Sequence, residues 1–369
     1  MRCPTLDWLR SVCEEGGIAP SGTRSVCGDT VWPMEFWLHS FPEPLHAVDV
    51  ALSAERHGYH GFLVAESQTL VGDPYVELAL AAAATSTIQL GVAVTNTVTR
   101  HPSVTAAAIA TIHMESHGRA VLGIGRGDSA LRLIGQSPTS MAELESGLRD
   151  IRAFLHGESV KADGAGARLN WLPADLPAVP IDLAASGPST IALGATLADR
   201  LTFNLGADPA LISWAVATAR LAREKSGLDP EAMSFGAYVN LACDPDLKTG
   251  LRMVRGSASI FIRFLAEAMA HGVPVPDADR PFVAAVADHY EEGAHGLATS
   301  DQADAVPDEF LRRFALVGAP GDLADRLATL GKIGLDRIVV VPASRDADPL
   351  FVSESNERFA AEVIPTFVT

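Results

Sequence analysis

The chain has 369 residues, 48% hydrophobic and 20% charged, which is globular composition and enough length for one large α/β domain or two ordinary ones. Its formal net charge of −17 argues against a nucleic-acid backbone or an anionic membrane surface as partner, since either calls for a concentrated basic face. No apolar run reaches the roughly 18 residues of a membrane span, and the start lacks a basic stretch followed by an apolar one, so a cytoplasmic protein is expected.

Residues 1–33 carry no sustained period and are peppered with Gly, Pro and Ser, so they read as a poorly ordered extension. Cys3, Cys13 and Cys27 lack the close pairing of a zinc site and are read as free thiols; no metal site is expected. From Met34 a single domain, 34–369, is expected, with short apolar runs alternating with helical segments in the manner of repeated βα units. The candidate strands are Met34 to Leu38, Gly61 to Ala65, Ile88 to Val94, Ala120 to Ile124, Ile181 to Ala184, Leu201 to Asn204, Ser234 to Leu241 and Arg337 to Val341. Three helical stripes face a core between them: Leu45, Val48 and Leu52; Val104, Ala107, Ala108 and Ile112; and Met141, Leu144, Leu148, Ile151 and Leu155. Cys243, inside an apolar run, reads as a small core residue.

Eight strands with intervening helices fit a closed (β/α)8 TIM barrel better than an open doubly wound sheet. Two stretches interrupt the spacing and read as insertions. The first, 157–180, is rich in Gly, Ala and Pro and suits a surface excursion. The second, 245–314, carries Leu251, Val254, Ala258, Leu265 and Met269 at helical spacing, and suits either a lid or a helical buttress. In a barrel the chemistry belongs at the carboxyl ends of the strands. There the run Gly118 to Ser129 leaves a buried strand through Gly123, Gly125 and Gly127 and sets Asp128 at the mouth. The third glycine comes too early for a dinucleotide fingerprint.

The segments Val94-Thr95-Asn96 through Arg100-His101-Pro102, Ala110-Thr111-Ile112, Gly118 to Gly125 with Gly127-Asp128, Ala185 to Thr190, and Phe314 to Pro320 together carry a resemblance. Over roughly Met34 to Val341 the chain resembles the bacterial luciferase-like superfamily of flavin and deazaflavin oxidoreductases, within it the branch typified by methylenetetrahydromethanopterin reductase. The resemblance implies a flat redox ring across the strand ends, touched by Thr95 and Asn96. It implies a bulged third strand with a non-proline cis peptide near Ala93-Val94. It places the cofactor phosphate at Ser186, Gly187 and Pro188, where backbone amides and a hydroxyl meet a helix start, with Gly206 flanking it; an ordinary helix cap by Ser186 is the plainer alternative. A homodimer through helices near the second and third strands also follows.

Hydride transfer needs a proton donor beside the developing charge. Asp128 is the first candidate, its carboxyl raised by an apolar wall from Trp37 and Phe36; alternatively it caps a helix from Ser129 to Ile134. Glu66 is a second carboxylate. Ser67 follows it where several relatives carry histidine, and His39 would supply a replacement imidazole. Trp37 and Arg126 are read as substrate contacts, Arg126 toward an anionic group. The expected function is hydride transfer between coenzyme F420, or a flavin, and a small organic substrate. An FMN-dependent monooxygenase served by a flavin reductase is the alternative, and a non-catalytic flavin-binding protein a third.

Overall fold

A computed structural model describes residues 33–162 and 165–367. The extension expected for 1–33 lies outside them but for Pro33, as do Cys3, Cys13 and Cys27. Eleven strands occur among the described residues: β1 (Glu35–Ser40), β2 (Gly61–Val64), β3 (Gln89–Thr95), β4 (Ala120–Ile124), β5 (Val160–Ala162), β6 (Ala165–Ala167), β7 (Ile181–Ala185), β8 (Arg200–Phe203), β9 (Ser234–Cys243), β10 (Leu316–Gly318) and β11 (Arg337–Val341). Strands β1, β2, β3, β4, β7, β8, β9 and β11 pair in parallel in that order, and β11 returns to β1 through Glu35↔Arg337 and Trp37↔Val339. The ring is a closed (β/α)8 barrel. Its eight strands are those read from the sequence, with ends shifted by a residue or two.

The strand sequences explain the ring. Runs such as Ala120–Ile124 and Arg337–Val341 are buried at every position because helices cover one face and the barrel interior the other. Residues near the starts of the strands fill the interior. Trp37 lies over Gly61, where a Cβ would stand 2.1 Å from the indole. Arg337 donates through Nη2 to Asp182 Oδ2 at 3.1 Å and Thr202 Oγ1 at 3.0 Å, and the Arg200 guanidinium stands 5.2 Å from the Trp37 ring. Phe36 points the other way, edge-on to Phe359 and Phe367 at centroid distances of 5.3 and 5.6 Å.

Two of the three helical stripes are corrected. The helix Ala47–Arg56 buries Ala47, Ala51 and Ala54, while Leu45 precedes it at 92% exposure. The helix Pro102–Glu115 buries Thr105, Ala106, Ile109, Ala110, Ile112 and His113, leaving Val104 49% exposed. In Pro102–Glu115 apolar residues run all round, so spacing alone does not choose a face, whereas in Ala47–Arg56 small alanines rather than the larger apolar residues take the core side. The helix Met141–Leu155 buries Leu144, Leu148, Ile151 and Leu155 as expected. Residues 157–180 include an antiparallel hairpin, β5 with β6, that the composition did not announce. The 245–314 stretch contains the long helix Leu247–Met269 and the shorter Arg280–Asp288, Asp301–Asp304 and Asp308–Phe314. It ends in β10, which pairs with the far end of β9 through Leu316↔Leu241. Among the described residues no helix is long and apolar enough to cross a membrane.

Candidate active site

A cavity of about 520 Å³ opens at the carboxyl ends of the strands, within the size range of small-molecule and cofactor sites. One wall comes from β3, whose register against β4 shifts between Val92 and Thr95, and whose Ala93–Val94 peptide is cis. Ala93 and Val94 line the cavity. So does Asn96, whose Oδ1 accepts from the Val98 and Thr99 amides at 2.9 Å each, which fixes the amide's orientation. Its Nδ2 is buried and has no hydrogen-bond partner among the described residues. An orphan donor on the wall of a cavity suits a bound group that presents an acceptor.

His39 and Tyr238 stand beside that wall, their ring centroids 6.2 Å apart. His39 Nε2 lies 3.1 Å from the Ala93 carbonyl oxygen, and burial pulls the imidazole down to about 4. A neutral ring facing a carbonyl carries its proton on Nε2, so His39 offers the cavity an acceptor, Nδ1. Burial, with Asp182 beneath it, raises the Tyr238 phenol, which stays protonated. Glu66 accepts from Arg100 Nε at 3.3 Å, and Arg100 also pairs with Asp73. Burial raises the Glu66 carboxyl against the opposing pull of Arg100.

Across the cavity, Gly187 is the N-cap of the helix Pro188–Leu197 without a side-chain cap bond, and a Cβ on it would meet nothing within 4 Å. Ser186 is therefore not the cap. Pro188 has no N–H, and the Ser189 and Thr190 amides of the first turn have no helical acceptor, which leaves donors for an anion. Ser186, Gly187 and Pro188 all line the cavity.

Asp128 lines it too, at the N-cap position of the short helix Ser129–Arg132, but without the expected wall of Trp37 and Phe36. It makes no side-chain cap bond, and Trp37 and Phe36 lie elsewhere in the fold. Its Oδ1 accepts from Arg132 Nε at 2.8 Å and its Oδ2 pairs with Arg263 of the helix Leu247–Met269. Arg126 is exposed, and its Nε donates to the Thr139 carbonyl at 2.8 Å, which leaves the rest of its guanidinium at the rim.

Three expected contacts do not reach the cavity. Trp37 plugs the barrel interior below it. Thr95 is fully buried behind the bulge. Gly206 has a φ of +66° and packs against residue 314, where a Cβ would stand 2.4 Å from the Phe314 carbonyl oxygen. Conversely, Ser257, Phe261, Phe264 and Ala268 line the cavity from the long helix, and His271 and His295 join them. The three- and four-residue spacing of the first four is a helical stripe beside the one read from the sequence, and it was the available signal.

A model of the luciferase-like monooxygenase family matches residues 31–337. The 5,10-methylenetetrahydromethanopterin reductase of Archaeoglobus fulgidus is 30% identical over 280 residues, covering 72% of this chain and 80% of the relative. The enzyme of the same name from Methanolobus tindarius is 29% identical over 297 residues, covering 78% and 86%. The coenzyme F420-dependent tetrahydromethanopterin reductase of Methanopyrus kandleri superposes with a TM-score of 0.72 at 21% identity, covering 91% of this chain and 99% of that one. Closed barrel, strand-end cavity and a family match over most of its length together make this chain a member of the luciferase-like monooxygenase family.

Proposed function

We propose that this luciferase-like oxidoreductase holds the deazaflavin coenzyme F420 across the ends of its strands and moves a hydride between it and a small organic substrate. The observation that carries the reading is the cavity: a bulged wall with an orphan amide donor at one side and an uncapped helix start at the other. When bound, the cofactor supplies the hydride. Asn96 Nδ2 would donate to an acceptor on the cofactor, and Ser186 with the Ser189 and Thr190 amides would hold its phosphate. His39 stays neutral, and its Nδ1 accepts from a ring or substrate N–H or O–H. Glu66, raised by burial, is the carboxyl best placed to hold a proton for the substrate. Similarity to two methylenetetrahydromethanopterin reductases over about three quarters of the chain, together with the likeness to the coenzyme F420-dependent tetrahydromethanopterin reductase of Methanopyrus kandleri, supports F420.

The second reading, an FMN monooxygenase supplied by a flavin reductase, is favoured by one observation. Arg126 is the single arginine or lysine among the described cavity residues, which offers little to an oligoglutamate tail. Titrating the apoprotein with F420 and with FMN while following ring absorbance separates the two. F420 is expected to bind at least tenfold tighter; equal or tighter binding of FMN overturns the assignment.

The protein is proposed to work as a homodimer. The helices Pro74–Ala84 and Pro102–Glu115 adjoin each other, the first leaving Val76 and Leu80 58% and 52% exposed and the second Val104. Apolar side chains on neighbouring helices are a surface that a second copy would cover.

A further inference from the structure

Between the helices Arg280–Asp288 and Asp301–Asp304, the chain brings one more imidazole to the cavity. His295 is buried among its neighbours and lines the cavity wall. Its support is rigid. Arg345 Nη1 donates to the His295 carbonyl at 3.1 Å, and Asp346 accepts from the Ala298 and Thr299 amides at 2.7 and 3.2 Å. The backbone of 296–298 lies so close to Gly256 that a Cβ there would stand 2.3 Å from the Ala298 nitrogen.

The polarity of the ring can be derived. His295 Nδ1 lies 2.7 Å from the Tyr290 hydroxyl, and the Arg263 guanidinium sits 4.3 Å from the centroid of the Tyr290 ring. Burial raises the Tyr290 phenol, so it keeps its proton, and the Arg263 guanidinium beside it favours that O–H as the donor to Nδ1. Glu292 Oε2 is 3.9 Å from Nδ1, beyond hydrogen-bond range, and its Oε1 is 3.5 Å from Arg263. Burial, helped by the charges of Arg263 and Arg345, holds the imidazole down to about 4, so it is neutral at physiological pH. A neutral imidazole has one N–H, here on Nε2. Nε2 has no partner among the described residues and is not sealed off.

The surroundings decide what that N–H would bind. Ile260, Phe261 and Phe264 supply apolar wall; Asp128 pairs with Arg132 and Arg263, Glu267 with Arg132 at 2.9 Å and Glu292 with Arg263 at 3.5 Å, while Arg345 is turned to the His295 carbonyl. A carboxylate entering here would be desolvated beside Asp128 and Glu267, with Arg126 at the rim the one arginine or lysine among the described cavity residues, whereas an uncharged carbonyl needs one donor. Resting on the hydride-transfer reading above, we propose that His295 Nε2 is the donor that recognises the carbonyl oxygen of an uncharged ketone with an apolar body, with Tyr290 as its positioning residue.

Calorimetry on the protein loaded with oxidised F420 tests this without turnover. The probes are acetophenone, benzoate and ethylbenzene, the last having an ethyl group in place of the acetyl and no oxygen. Acetophenone is expected to bind at least tenfold tighter than benzoate. His295→Leu should weaken acetophenone at least tenfold while leaving ethylbenzene and F420 affinities unchanged, because only the oxygen loses its partner. His295→Gln, with an amide donor, should recover most of the loss, and Tyr290→Phe should fall between. Benzoate binding as tightly as acetophenone, wild-type protein that takes F420 but not acetophenone, or equal acetophenone affinity in His295→Leu each overturns the proposal. A parallel loss of ethylbenzene in the variants also overturns it, since it marks a purely structural role. Failure of F420 itself to bind sinks the cofactor reading instead, and the acetophenone-against-benzoate preference of the FMN-loaded protein then decides the inference.

Discussion

Asp128 stands at the cavity wall, where the glycine turn was expected to put it, yet both its oxygens are engaged in ion pairs, Oδ1 accepting from Arg132 and Oδ2 facing Arg263. A carboxylate engaged in this way serves as an anchor, tying the loop after β4 to the helix Leu247–Met269. In the proposed reading the proton is held instead by Glu66, whose carboxyl is raised by burial against the opposing pull of Thr95 and Arg100. Asp128→Asn should therefore cost stability as well as activity, because the Arg263 side chain, 5% exposed, loses its main partner. Urea unfolding should show a loss of about 2 kcal/mol, less than for a fully buried pair because Asp128 keeps partial exposure. Arg263→Met in the same chain should restore most of it. An unchanged midpoint for Asp128→Asn would remove the anchoring role.

Among the elements, the eight barrel strands were legible because a strand covered on both faces reads as an unbroken apolar run, and the glycine turn and the Ser186-Gly187-Pro188 helix start announce themselves by residue type. β10 was not legible as a strand: three residues are too few to show a period. The cavity face of the Leu247–Met269 helix was missed because Ser257 and Ala268 dilute its stripe. His295 carried no signal, since its place depends on contacts with Gly256 and Arg345 that are distant in sequence. Gly206 was read as a phosphate neighbour, and its left-handed backbone instead lets the chain pass the Phe314 carbonyl. Gly206→Ala should thus destabilise the protein by roughly 1–3 kcal/mol through overpacking and backbone strain. F420 affinity of the folded fraction should stay within twofold, and a selective loss of that affinity would return Gly206 to the phosphate site.

For the molecule as a whole, the outward apolar residues that defeated the helical stripes acquire a purpose if a second copy covers them. Leu80→Glu places a charge in the middle of that surface and should halve the mass seen by sedimentation equilibrium. Cofactor binding should survive, because residues 74–84 contribute nothing to the cavity wall. A wild-type monomer, or a dimer indifferent to the substitution, would place the contact elsewhere. The plug of Trp37, Arg337 and Asp182 bears on traffic rather than on stability. It closes the barrel from below, so that a molecule resting against Ala93 and Val94 would have no exit through the barrel interior and would have to come and go on the strand-end side.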